Sequence, residues 1–175
     1  MSKVETRFNS CNRAVVRTLP RALLAKLLVA SGALLAGTAA QAQSAPRPEA
    51  LIKWRQSAFQ VIAWNSGRIK SALSGAYDSH EVQSAANAIA SLANAGLASL
   101  FAPGTADGKG WRETTARDEV FSDASKFRAL SEEFAREANT LARLAAGADP
   151  KAVNEQFLKV AQTCKACHEK YRQTD

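Results

Sequence analysis

The stretch Asp149-Pro150-Lys151-Ala152-Val153-Asn154-Glu155-Gln156-Phe157-Leu158-Lys159-Val160-Ala161-Gln162-Thr163-Cys164-Lys165-Ala166-Cys167-His168-Glu169-Lys170-Tyr171 sets the terms for the whole chain. Asp149 is a natural N-cap, and Pro150 suits a first turn, where its missing N–H costs nothing. Behind them Val153, Phe157, Val160, Cys164, Cys167, His168 and Tyr171 fall on one helical face. Such a helix needs apolar partners, and three appear on working back along the chain. One starts near Ser122 as N-cap and buries Phe127, Leu130, Phe134, Ala138, Leu141 and Leu144, with Gly147 as the residue just past its end. Another starts at Asp78, with Glu81 three residues on in capping-box form. Its stripe Val82, Ala85, Ile89, Leu92 and Ala93 runs on to about Leu100. The earliest opens at Pro48, carries Ile52, Phe59, Ile62, Ile69 and Leu73, and stops at Gly75. Between the second and third, the Gly/Pro/Asp stretch from Phe101 to about Thr115 reads as a surface loop, with Trp111 packing back on the body and an irregular turn over 116–121. No segment alternates with period two. The prediction is an all-α protein, an antiparallel four-helix bundle.

The first 42 residues have a different character. They hold six basic residues and a single acid, Glu5, then the apolar run Leu27-Leu28-Val29-Ala30-Ser31-Gly32-Ala33-Leu34-Leu35-Ala36, then Ala40-Gln41-Ala42. A basic head, a short apolar middle and an A-x-A end define a cleavable secretory signal. The apolar run is well short of the ~20 residues of a permanent membrane anchor. Residues 1–42 are therefore expected to be removed and 43–175 to form the mature domain, exported to a bacterial periplasm. The chain of 175 residues carries 23 Lys+Arg against 16 Asp+Glu, a net +7. Without the leader the balance is 17 against 15, or +2. The excess that suggests nucleic acid belongs to the export signal, so no nucleic-acid partner is expected. Cys11 leaves with the leader, and the odd cysteine count becomes a pair.

That pair is Cys164 and Cys167, followed by His168. C-x-x-C-H is the attachment signature of a c-type haem. On a helix, positions i, i+3 and i+4 share a face, so both thiols can bond the two vinyl groups of one haem c while His168 gives an imidazole nitrogen to the iron. A redox C-x-x-C opens a helix after a strand, and here it lies near the end of the fourth helix. A zinc site would need a fourth ligand, and the only other histidine is His80, in an inter-helix turn. The other side of the iron decides the chemistry. Low-spin carriers use a second strong ligand, usually Met or His. The only methionine is Met1. A five-coordinate, high-spin iron with one open position is expected.

The mature part resembles cytochrome c′, the high-spin branch of the class II cytochromes c. The resemblance rests on Cys164-Lys165-Ala166-Cys167-His168-Glu169-Lys170-Tyr171-Arg172, on Pro48-Glu49-Ala50-Leu51-Ile52-Lys53-Trp54-Arg55-Gln56-Ser57-Ala58-Phe59, and on Phe121-Ser122-Asp123. It implies that Phe59 overhangs the open face of the haem, where low-spin relatives carry a ligating Met. Arg55, one turn before Phe59 on the same face, then becomes a natural partner for a haem propionate. Arg172, one turn beyond His168, matches a basic residue that family members carry beside the axial histidine. It would pair with a propionate or set the electrostatics of the proximal pocket. The resemblance also implies a homodimer through the first two helices, to which an outward Trp54 or Trp64 would contribute.

These observations predict a periplasmic haem protein that binds small diatomic gases, nitric oxide above all and carbon monoxide with it. The resemblance implies a role in nitric oxide binding or detoxification. The alternative is an electron-transfer cytochrome of the low-spin kind, serving a periplasmic redox partner. An enzyme, a peroxidase or nitric oxide reductase, ranks last, because no distal acid–base residue is in view.

Overall fold

A computed structural model of the chain describes residues 45–173. The expected leader, residues 1–42, lies outside them. Four long helices carry the fold: α1 (Pro48–Ser74), α2 (Ser79–Ala93), α4 (Ala124–Ala146) and α5 (Pro150–Tyr171). A 3-10 turn (Leu97–Leu100) and the short α3 (Glu119–Ser122) interrupt the long connection between α2 and α4. The described residues contain no named strand. Among them, no helix is long and apolar enough to cross a membrane.

The starts of the helices follow the side chains that cap them. Pro48 and Pro150 occupy first turns, and the Asp149 carboxylate accepts from the Lys151 backbone N–H at 3.0 Å. Asp78 Oδ1 accepts from the N–H groups of His80 and Glu81. Only half of the expected capping box forms. The Glu81 carboxylate turns to Arg68, which grips it with Nε at 2.5 Å and a terminal nitrogen at 2.7 Å. A bidentate guanidinium is the stronger partner for a carboxylate than one backbone N–H.

Several ends differ from the sequence pattern. α2 stops at Ala93, not near Leu100. The Asn94 side chain donates to the Ala90 carbonyl and to Asn139, and Gly96 takes φ 76°, a left-handed turn open to glycine without strain. The chain then restarts as the 3-10 turn. The third long helix begins at Ala124 rather than after Ser122, which belongs to α3. Asp123 does not cap it, because its carboxylate is taken by Lys170 of α5 and by Lys126. Leu144 is 36% exposed, and Ala145, one residue on, enters the core instead. The left-handed residue after α4 is Ala148 at φ 56°, whereas Gly147 has φ −81°.

α1 packs on α2, α2 on α4 and α4 on α5. Ile69, Val82, Ala85, Ala86, Ile89, Ala138, Leu141 and Val153 fill the seam where these helices meet. The many alanines let the helix axes approach closely, so Ile89 and Leu141 are sealed from solvent. Trp54 and Trp64 both face outward on α1, 51% and 64% exposed, and Arg68 lies over the Trp64 ring. Trp111 is likewise exposed, yet its indole N–H donates to Ser57 Oγ and Lys53 sits over its ring, so the loop is moored to α1 as expected.

Candidate functional site

At the other end of the bundle, α1 and α5 face each other across a cavity of about 580 Å³. Ligand cavities of small cofactors run from roughly 300 to 1,000 Å³. α1 contributes Arg55, Phe59 and Ile62, α5 contributes Phe157, Val160, Cys164, Cys167, His168 and Tyr171, and Arg172 follows directly after α5. The loop after α2 adds Leu97, Phe101, Arg112 and Thr114, and α4 adds Phe127 and Phe134. All six residues singled out from the sequence, Arg55, Phe59, Cys164, Cys167, His168 and Arg172, therefore line one space. His80 does not; it is exposed in the first turn of α2.

The helical rise of α5 stacks the chemistry on its inner face. Cys164 and Cys167 are both free and half-buried. Burial raises the Cys164 thiol, and burial together with Cys164 pushes Cys167 up to about 11. A redox-active C-x-x-C needs the opposite shift, toward thiolate. Burial, and then the Arg172 cation, hold the His168 imidazole below its ordinary value. Near neutral pH that ring is uncharged and has a lone pair to offer. The chain end is fixed as well: the Arg117 N–H donates to the Tyr171 carbonyl, and the Gln173 N–H to the Thr115 carbonyl. Lys170 reaches Asp123 at the start of α4.

Arg55 is only 3% exposed. One terminal nitrogen donates to the Leu100 carbonyl and Thr105 Oγ1, the other to the Thr105 carbonyl and Thr114 Oγ1. Every one of these acceptors is neutral, and desolvation lowers the guanidinium to about 10. The partners lie 45 to 59 residues away in sequence, and periodicity gave no sign of them. Thr105 is fully buried within a stretch that reads as surface loop. Gly110 lets the same loop press on α1: an added Cβ would meet Gln56 Oε1 at 2.5 Å and the Lys53 backbone nitrogen at 2.8 Å. Phe101 and Arg112 are further wall residues that the sequence did not single out, because both sit in aperiodic chain.

The donor set matches haem c. Two thiols three residues apart and one neutral imidazole share a wall. The rest is largely apolar and aromatic. Three arginines, Arg55, Arg112 and Arg172, line the cavity with no aspartate or glutamate among the described residues there, leaving positive charge for two carboxylates.

A helical bundle that sets a C-x-x-C-H face against an apolar cavity is, as a class, a c-type cytochrome. The family model described as Cytochrome C' matches residues 50–172. The Rhodocyclus tenuis cytochrome c' is 48% identical over 130 residues, which are 74% of this chain and 98% of that protein. A solved cytochrome c' with an unusual ligand-controlled dimer dissociation is 39% identical, with a TM-score of 0.72 over 75% of this chain and 100% of that one. A nitric oxide complex and a carbon monoxide-bound form of mutant cytochrome c prime from Alcaligenes xylosoxidans are each 30% identical, with TM-scores of 0.65 over 73% of this chain and 98% of theirs. The chain belongs to the cytochrome c′ family.

Proposed function

We propose that this protein is a periplasmic haem c protein, exported by a signal at residues 1–42, whose iron is held by His168 alone and which binds nitric oxide and carbon monoxide. The observation that carries the reading is the make-up of the cavity wall: among the described residues, His168 is the one histidine that lines it, and no methionine does. Cys164 and Cys167 would hold the one cofactor covalently, each thiol S–H adding across one vinyl C=C with its hydrogen going to the other vinyl carbon. The cofactor, when bound, supplies a ferrous centre with a vacant position for an uncharged diatomic gas. Phe59, 41% exposed on the opposite helix, bounds that position and can supply no ligand. The aromatic wall disfavours water and anions against a neutral gas. Arg55 and Arg172 balance the propionates. With His168 committed to the iron and no carboxylate lining the cavity among the described residues, the role is gas binding rather than acid–base catalysis. The outward Trp54, Val61 and Trp64 of α1 support a homodimer through α1 and α2.

The test is gas uptake by the reduced protein, followed by its visible spectrum. Carbon monoxide and nitric oxide should both bind, and Phe59→Ala should speed uptake of both. A protein indifferent to either gas would instead be an electron carrier with a second protein ligand.

A further inference from the structure

Phe59 is not isolated on the cavity wall. Its ring tilts onto Phe101, with centroids 6.3 Å apart and planes at 56°. Phe101 in turn packs edge-to-face with Phe127 at 4.8 Å between centroids, and the Arg55 guanidinium lies 4.4 Å from the Phe101 centroid. Its backbone is held too: the Phe101 N–H donates to the Ala98 carbonyl, and the preceding carbonyl, of Leu100, accepts from Arg55. Phe127 is braced edge-on by Tyr171 at 5.2 Å. The row therefore has one loose member and one fixed one. Phe59 is substantially exposed in an open cavity, while Phe101 is gripped by a buried cation, a second ring and its own hydrogen bonds.

We propose that Phe101 is the backstop that governs gas entry, by limiting how far Phe59 can yield. This rests on the gas-binding reading of the same cavity. An incoming gas has to displace the Phe59 ring, and the neighbour that ring turns against is Phe101. A packed neighbour that cannot move converts the displacement into an energy barrier. Phe101 thus acts through Phe59 as a positioning residue, and Arg55 acts through Phe101. The barrier falls on association; dissociation leaves from a state in which Phe59 has already yielded.

The test is carbon monoxide association with the reduced holoprotein after flash photolysis. Phe101→Leu keeps the site apolar but removes the ring. It should raise the association rate about threefold to tenfold, the kinetic equivalent of one lost aromatic contact, with dissociation little changed. Phe101→Trp should slow association, and it carries the test if the leucine variant loses its haem spectrum. In protein that already carries Phe59→Ala, Phe101→Leu should add nothing, because no ring is left to brace. Association at the unmutated rate in both Phe101 variants would overturn the proposal. So would effects of the two sites that multiply independently. Failure of the unmutated protein to take up carbon monoxide would overturn the gas-binding reading, and this inference with it.

Discussion

The two ends of the bundle are built from the same four helices and solve the packing problem in opposite ways. Toward the α2 start and the α4–α5 turn, Ile69, Val82, Ile89, Leu141 and Val153 close on one another with alanines between them. Toward the α5 end, Phe59, Phe101, Phe127 and the two cysteines stand around a space. Small residues bring helices together; large rings from α1, α4 and the loop pinned on Arg55 surround the cavity. The dry end is filled by its own side chains, and the open end is shaped around the Cys164, Cys167 and His168 face of α5.

The sharpest way to break this contrast is to remove the cofactor. Protein carrying Cys164→Ala, Cys167→Ala and His168→Ala has nothing to retain haem. In amide hydrogen exchange, the last turns of α5 and the 101–118 loop should lose protection, while residues around Val82–Ile89 and Leu141 keep theirs. Equal loss throughout would show one cooperative core rather than two ends. Next in size is Leu141→Ala, which empties the dry seam at a fully buried position. It should lower unfolding stability by about 2–5 kcal/mol, read from denaturant midpoints, and leave the haem spectrum unchanged.

Two smaller changes sharpen the picture at the edges. Ala148→Gly relieves an L residue at φ 56° and should stabilise the α4–α5 turn by roughly 1 kcal/mol. The Lys170–Asp123 pair ties α5 to the start of α4 and holds the Asp123 carboxyl below its ordinary 3.8. A depressed carboxyl adds stability above that value, and the contribution is lost as pH falls through the lower, folded one. Asp123→Asn should therefore flatten the acid limb of the stability curve below about pH 4, and its effect at neutral pH should be small because the pair is only half-buried.

Much of this was legible in the chain. Pro48, Asp78 and Asp149 mark helix starts because capping is a local affair between a side chain and the next turn. The face of α5 is legible for the same reason: Cys164, Cys167 and His168 are placed together by helical spacing alone. What the sequence concealed is non-local. Arg55 finds Thr105 and Thr114 across the loop, and neither threonine has any periodic mark. Asn94 ends α2 partly through Asn139 on another helix. The swap of Gly147 for Ala148 as the left-handed residue is a choice made by the turn as a whole, against the preference of both residues.

The proposed function turns on an iron with a single protein ligand, His168, at the open end. The most direct measurement is the spin state of that iron in the resting protein, read by resonance Raman in both oxidation states. The iron should be high-spin and five-coordinate when reduced, turning to a gas adduct on exposure to carbon monoxide. A low-spin, six-coordinate spectrum, unchanged by the gas, would contradict it.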